Sequence, residues 1–560
     1  MENKTIARTL RLLSQLMELQ EENPFKVKSV ANAAFKVDKS PVKVYGLNLE
    51  QLEKVEGIGK SIALKIDELN RTGAIDELTK LLAITPDGII EMLSIKGLGP
   101  KKIQIIWKQL GIENIVELYY ACNENRLVEA KGFGLKTQEE IKKVIEFTMS
   151  NIGKLLYAQA EELNATIEKE LLTLPSVSQV ATAGQMARKC DIIETFSFVI
   201  ASENSSTVLN AINNNKNFSG ALMTENQWNG KFDHFSIEIT FSSPQEFTWN
   251  KFKATGSSNH IQHIEALEST DILKNKSSEA EIYQTLNWPY IIPELREEWN
   301  EEKLKSIDHN NIIVLEDLKG TIHNHSTYSD GIHTLKDMAL YCKELGYDYL
   351  GICDHSKSAF YANGLTEERV AQQHAEIEKL NQELAPFKIF KGIESDILYD
   401  GSLDYSDEIL DSFDLVVASV HSQLKMTKEK ANERLIKAIE NPYTTILGHP
   451  TGRLLLAREG YPLDHKLIID ACAANNVVIE LNSNPLRLDL DWRWIDYALS
   501  KNVMISINPD AHRKEGYHDM KYGVNVARKA GLTKNLCFNA LSANEIARKF
   551  EQKKSSNKKI

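Results

Sequence analysis

At 560 residues, 42% of them hydrophobic and 26% charged, the chain is too long for one core and is expected to form several domains of ordinary soluble composition. A formal net charge of −12 excludes a uniformly basic nucleic-acid binder, although one domain can still carry a local positive face. Six cysteines without paired spacing, an amphipathic N-terminus (MENKTIARTLRLLSQLMELQEENPF) unlike a secretory signal, and no apolar run near the ~18–20 residues of a membrane span together predict a cytoplasmic protein with no membrane association.

Residues 1–150 carry helical periodicity throughout. Three segments within them share one form: VEGIGKSIALKI (Val55–Ile66), IKGLGPKKIQII (Ile95–Ile106) and AKGFGLKTQEEI (Ala130–Ile141). Each sets a Gly-apolar-Gly turn (Gly57 and Gly59, Gly97 and Gly99, Gly132 and Gly134) ahead of a helix-forming stretch with lysine (Lys60, Lys101 and Lys102, Lys136). Glycine lets backbone approach a phosphate closely, and the free N–H groups of a helix start supply donors and partial positive charge. One such turn often serves only to reverse the chain. Three in succession are the signature of helix-hairpin-helix units and predict DNA held by its backbone without regard to sequence.

From about residue 151 a helical stretch, GKLLYAQAEELNATIEKELLTL, leads into alternating segments VSQVATAG, FSFVIAS and FSIEITF, a strand-rich region reaching about residue 243. TGSSNH and EIYQTLNWPYIIPELREEW then suggest a small helical domain, and NEEKLKSIDHNNIIVLED a linker.

Seven short apolar segments follow, each with the character of a buried strand: Leu318–His325, Tyr347–His355, Lys388–Glu394, Phe413–His421, Tyr443–His449, Val477–Asn482 and Val503–His512. Six end in a metal-type ligand, and loops at the C-terminal ends of parallel strands are where a barrel converges its side chains. The candidates are His323, His325, Asp330, His355, Glu394, His421, His449, Asp510 and His512. Nine exceed the about four to six positions of one ion, so two or three divalent cations are implied. A lone His-x-His would mean little; its recurrence with carboxylates interleaved is what points to metal. Arg453 and Arg487, after the fifth and sixth strands, are candidate catalytic groups that grip a phosphoryl oxygen through their planar forks, with surface salt bridges as the plainer alternative.

The motifs HNHSTYSDG, CDHS, GIESDI, SVH, GHPTGR and PDAH stand in the order found in the polymerase-and-histidinol-phosphatase (PHP) family, which residues 319–550 resemble. That resemblance implies a distorted (β/α)7 barrel holding three Mn2+ or Zn2+ ions, with Glu394 bridging two of them and a competent ligand at each of the nine positions. Joined to the hairpin units and to TGSSNH and EIYQTLNWPYIIPELRE, the whole chain resembles the bacterial X-family DNA polymerases with a C-terminal PHP domain. The implied architecture is multidomain, α/β and α+β: a helical lyase-type domain with helix-hairpin-helix (1–85), a fingers-like helix-hairpin-helix domain (86–150), a palm-like nucleotidyltransferase domain (151–245), a thumb-like domain (246–300), a linker (301–318) and the barrel (319–560). The implied activity is a metal-dependent 3′–5′ exonuclease or 3′-end phosphodiesterase in DNA repair, acting on gapped or 3′-ended DNA. Lys65 falls where eukaryotic relatives keep a Schiff-base lysine, and is either a lyase nucleophile or a phosphate contact.

The chain departs from the family in the palm. The Asp-x-Asp pair expected after a Gly-Ser loop is replaced by Thr195 and Ser197 after Gly184-Gln185, and the third carboxylate by Ser236. Hydroxyls are poor ligands for hard divalent cations, so polymerase activity is predicted to be lost. The alternatives are a polymerase that recruits Asp191, Glu194 and Glu238, residues otherwise expected on a solvated rim, or a small-molecule phosphatase of the histidinol-phosphate type. A non-enzymatic DNA-bridging protein is the reading from another class.

Overall fold

The computed structural model describes residues 2–40, 42–95, 97–128, 130–150, 153–297 and 301–557. Two compact units divide the chain, Met1–Phe147 and Thr148–Ile560.

The first unit is helical among its described residues. Helix Asn3–Leu19 buries Ile6, Leu10, Leu13 and Met17 at helical spacing, and the next, Pro24–Lys39, starts from an Asn23 side chain that accepts from Phe25 N with proline at its first position. The three Gly-apolar-Gly turns fold alike. Gly57, Gly97 and Gly132 take the left-handed φ of 84°, 94° and 91° that turns the chain, and the residue after each (Ile58, Leu98, Phe133) is buried and anchors the turn. Gly59 and Gly99 then stand at the N-caps of helices Lys60–Thr72 and Pro100–Gln104, and Gly134 directly precedes helix Leu135–Ser150.

The second unit opens with helix Tyr157–Leu172 and a five-stranded sheet. Its strands are β1 (Gln179–Ala183), β2 (Thr195–Ala201), β3 (Phe218–Thr224), β4 (Gln227–Phe232) and β5 (Phe235–Ser242). They lie in the order β1-β2-β5-β4-β3, antiparallel except for the parallel β2–β5 pair. Alternation in the sequence predicts β1, β2 and β5 but not the β3–β4 hairpin. After Phe218 every residue of β3 is exposed, so no apolar period marks it. A helical segment follows, packed on Trp249, Phe252, Tyr283 and Trp288, where the buried Arg296 donates to Glu279 (2.5 Å) and to Ile291 O.

Seven parallel strands then run in chain order: β6 (Gly320–Thr321), β7 (Tyr349–Ile352), β8 (Lys388–Asp396), β9 (Leu415–Ser419), β10 (Ile446–Leu447), β11 (Val478–Asn482) and β12 (Ile505–Asn508). Each falls inside one of the seven predicted segments except β8, which runs two residues past Glu394 to Asp396. Parallel neighbours need crossover connections, and helices such as Leu335–Glu344, Glu367–Leu384 and Lys428–Glu440 supply them. A parallel bridge between Asn324 and Ala511, just past β6 and β12, brings the sheet edges together into a nearly closed barrel. Among the described residues no helix is long and apolar enough to cross a membrane.

Candidate metal centre

All nine predicted ligand side chains meet at the C-terminal end of the barrel. Glu394, at the end of β8, lies at the middle: one carboxylate oxygen is 3.3 Å from His323 Nε2, 3.1 Å from His421 Nε2 and 3.0 Å from His449 Nε2, and the other is 3.0 Å from His355 Nδ1 and 3.6 Å from His325 Nε2. Asp510 approaches His325 Nε2 at 3.0 Å, and Asp330 lies 3.5 Å from His355 and 3.4 Å from His512. Three overlapping groups have the compactness of cation sites: His325, Asp330, His355 and His512; His323, His325 and Asp510; and His355, Glu394 and His421.

The donors around this cluster fix which atom of each ligand faces inward. His323 Nδ1 donates to Glu480 (2.7 Å) and His421 Nδ1 to Asp396 (2.6 Å), which turns each Nε2 toward Glu394. Glu480 also accepts from the amides of Asn482 and Asn508 and from His449 N. Asp354 accepts from the Ser326 and Ser329 amides and hydroxyls and from Gln373, which pins the loop joining His325 to Asp330. Glu480, Asp396 and Asp354 were absent from the sequence reading. Asp354 stands beside His355 and Asp396 two residues after Glu394, so adjacency to a ligand was the available signal; Glu480 carried none beyond a charge within an apolar strand.

Electrostatics and satisfaction test whether this donor set fits metal. Burial opposes charge on His323, His355 and His421, yet the carboxylates raise all three, His421 to about 9. Burial likewise opposes ionisation of Asp330, Glu394 and Asp510, yet the imidazoles hold all three well below the ordinary carboxylate range. Even so, His323 Nε2, Asp330 Oδ2, His355 Nδ1 and Glu394 Oε2 are buried with charged neighbours at 3.0–3.6 Å but no well-directed hydrogen bond. Each such atom costs about 1–3 kcal/mol, and several converging on one point are the donor set that divalent cations satisfy. The residues therefore fit metal. Access lies on one side: His421 and His355 expose 11% and 7% of their side chains, whereas His323 and His325 expose none.

Arg453 is engaged in an ion-pair network, the plainer of its two expected roles. Its guanidinium is taken up by Asp491 (2.5 Å), Asp191 (3.3 Å) and the carbonyls of Arg487 and Leu488. Arg487 is buried and offers its carbonyl to that network.

The sheet brings the altered palm positions together. Thr195 of β2 is in register with Ser236 of β5, and Ser197 with Glu238, with the intervening Phe196, Phe198, Phe235 and Ile237 buried on the opposite face. Gly184 packs so closely on Ser197 that a Cβ there would lie 2.6 Å from its hydroxyl, and the Gln185 carboxamide accepts from Glu194 N and Thr195 N. Of the nearby carboxylates, Glu194 pairs with Lys154 (2.6 Å) on the surface. Asp191 corrects the expectation of a solvated rim: it is mostly buried against Arg453, and burial raises its pKa despite that cation.

In the first unit, Lys65 is held against Glu77, whose carboxylate also takes Lys26 (2.5 Å), so its amine is engaged in an ion pair. Lys60, Lys101 and Lys136 are exposed, while Lys102 turns back to Gly97 O (3.3 Å) and lies over the Phe133 ring. Around Gly59, Gly97, Gly99, Gly132 and Gly134 a Cβ would meet nothing within 4 Å. At Gly97 and Gly132 the left-handed φ already calls for glycine; at Gly59, Gly99 and Gly134 neither packing nor φ demands it.

Comparison with known proteins agrees with this arrangement. Family models described as helix-hairpin-helix domain, SAM-like helix-hairpin-helix tandem and PHP domain match residues 1–75, 89–146 and 321–484. The chain is 32% identical to DNA polymerase/3′-5′ exonuclease PolX of Bacillus subtilis (strain 168), over 98% of this chain and 99% of that protein. Part of the chain is also similar to probable phosphatases of Clostridium novyi (25% identical over 30% of this chain and 65% of that one) and Thermoanaerobacter sp. (27% over 29% and 67%).

Proposed function

Because this chain belongs to the bacterial X-family of DNA polymerases that carry a C-terminal PHP domain, we propose that it hydrolyses DNA from 3′ ends at the barrel and no longer extends primers. The observation that carries the first half is the gathering of eight ligand-type side chains around Glu394 with buried atoms that lack a well-directed hydrogen bond. Divalent ions there, Mn2+ or Zn2+ and three in number, would supply a water of lowered pKa and neutralise phosphoryl oxygens. The chain's own part is to orient the imidazoles through Glu480 and Asp396, to keep the cluster dry on all sides but one, and to admit a strand end past His421 and His355.

The hairpin turns support DNA as substrate over a small phosphate ester. Gly59, Gly99 and Gly134, which neither internal packing nor a left-handed φ requires, are the exposed glycines an incoming phosphodiester backbone would demand, and a metabolite phosphatase has no use for them. Loss of extension rests on Thr195, Ser197 and Ser236, three hydroxyls gathered where carboxylates would hold metal; of the possible substitutes Asp191 and Glu194 are committed to Arg453 and Lys154. DNA as substrate and six free cysteines favour work in the cytoplasm.

One gel tests the reading: a labelled primer annealed to template, with Mn2+, with and without deoxynucleotides. Shortening under both conditions is expected. Extension, or an unchanged primer, contradicts it.

A further inference from the structure

Phe360 exposes 89% of its surface, more than any other large hydrophobic residue among those described. It sits in the short helical turn Phe360–Ala362, five residues after His355. An apolar ring left in water forfeits about 1.5–3 kcal/mol of burial.

The loop around it is built to hold it there. Ser358 N donates to Asp404 (2.6 Å) and Ser358 Oγ to Asp396 (3.0 Å), the carboxylate that also orients His421. Ala359 and Ala362 are buried, Gly364 N donates to Ala359 O, and Arg369 ties down the carbonyls of Asn363, Gly364 and Tyr328. A Cβ at Gly364 would lie 1.9 Å from Ser356 O, so the loop closes on itself without slack. The neighbouring Tyr361 ring stands edge-on to His355 (6.1 Å) and His421 (6.5 Å), the two ligands on the open side of the metal centre.

Resting on the reading of the barrel as a DNA 3′-end hydrolase, we propose that Phe360 is a base-stacking platform at the mouth of the metal centre. It receives a nucleobase of the last two nucleotides while the phosphodiester enters past His421. Every base offers a π-face, and such a stack is worth about 1–3 kcal/mol without sequence preference. An exposed ring beside the more exposed ligands of the pocket, His421 and His355, meets that need.

The test uses the full chain with Mn2+ and two 5′-labelled single strands, one natural and one whose last two nucleotides are abasic tetrahydrofuran units. Phe360→Ala should slow cleavage of the natural end about ten-fold and of the abasic end by no more than about two-fold, and Phe360→Trp should restore the natural rate. Equal slowing on both strands would mean a loop defect and overturn the proposal, as would wild-type rates for Phe360→Ala on the natural end. If the wild type leaves the natural end intact, the reading of the barrel falls and this one with it; shortening by the wild type with no Phe360→Ala effect sinks this one alone.

Discussion

The guanidinium of Arg453 lies 3.3 Å from the carboxylate of Asp191, linking the loop after His449 to the segment that leads into β2. Arg453 also pairs with Asp491, and the Asp489 carboxylate nearby holds Thr451 through its amide and hydroxyl. Removing one partner of a buried ion network leaves its opposite charges uncompensated. Arg453→Met should therefore cost about 3–5 kcal/mol in urea unfolding. A phosphate-gripping arginine would instead lower activity and leave the unfolding midpoint in place.

Glycine at the second position of each hairpin turn separates binding from folding. Gly59 and Gly99 have ordinary φ values of −82° and −89° and open space where a Cβ would go. Gly59→Ala and Gly99→Ala should alter stability by no more than about 1 kcal/mol. Both should weaken binding to unrelated DNA duplexes at low salt, because the methyl group stands between the helix-start amides and a phosphate. Undiminished DNA affinity in the double variant would remove these turns from the interface.

The sheet predicts a negative result. With the barrel disabled by His323→Ala, a gapped duplex and all four deoxynucleotides should gain no nucleotide, since Thr195, Ser197 and Ser236 provide no anionic ligand. Templated extension under those conditions would point to Glu238, which stands in register with Ser197.

His260 gives the second unit a dependence on acid. It is buried against the Tyr283 hydroxyl (2.8 Å), and burial, with the nearby Arg296 and His263, lowers its pKa from 6.5 to about 3. Below pH 6.5 the unfolded chain binds a proton that the folded chain refuses, so stability falls as pH drops from 6.5 toward 3, by about 1.4 kcal/mol per unit from this group. His260→Gln should flatten that slope between pH 6 and 4.5 in urea unfolding, at about one proton's worth. An unchanged slope would mean that His260 is protonated in the folded state.

The metal centre was legible in the sequence because most of its ligands stand at or just past the end of an apolar strand segment, where loops converge on the barrel mouth. Glu480 was not legible, because a carboxylate inside VVIEL reads as an interruption until His323, distant in sequence, is folded onto it. The pairing of Arg453 with Asp191 is not legible in the sequence for a related reason. Both look like solvent-facing charges in their own segments, and only the packing of sheet on barrel buries them together. The β3–β4 hairpin escaped because an exposed strand has no face to hide and leaves no period to read.

The central claim is that the cluster around Glu394 hydrolyses DNA 3′ ends, and Glu394→Gln tests it most directly. The substitution keeps the shape but removes the charge facing His323, His355, His421 and His449. On a 5′-labelled strand with Mn2+, wild-type protein should produce a ladder of progressively shorter labelled products. Glu394→Gln should slow it at least about 100-fold and carry less metal by mass spectrometry. A ladder formed by Glu394→Gln at the wild-type rate would place the hydrolytic centre elsewhere in the chain.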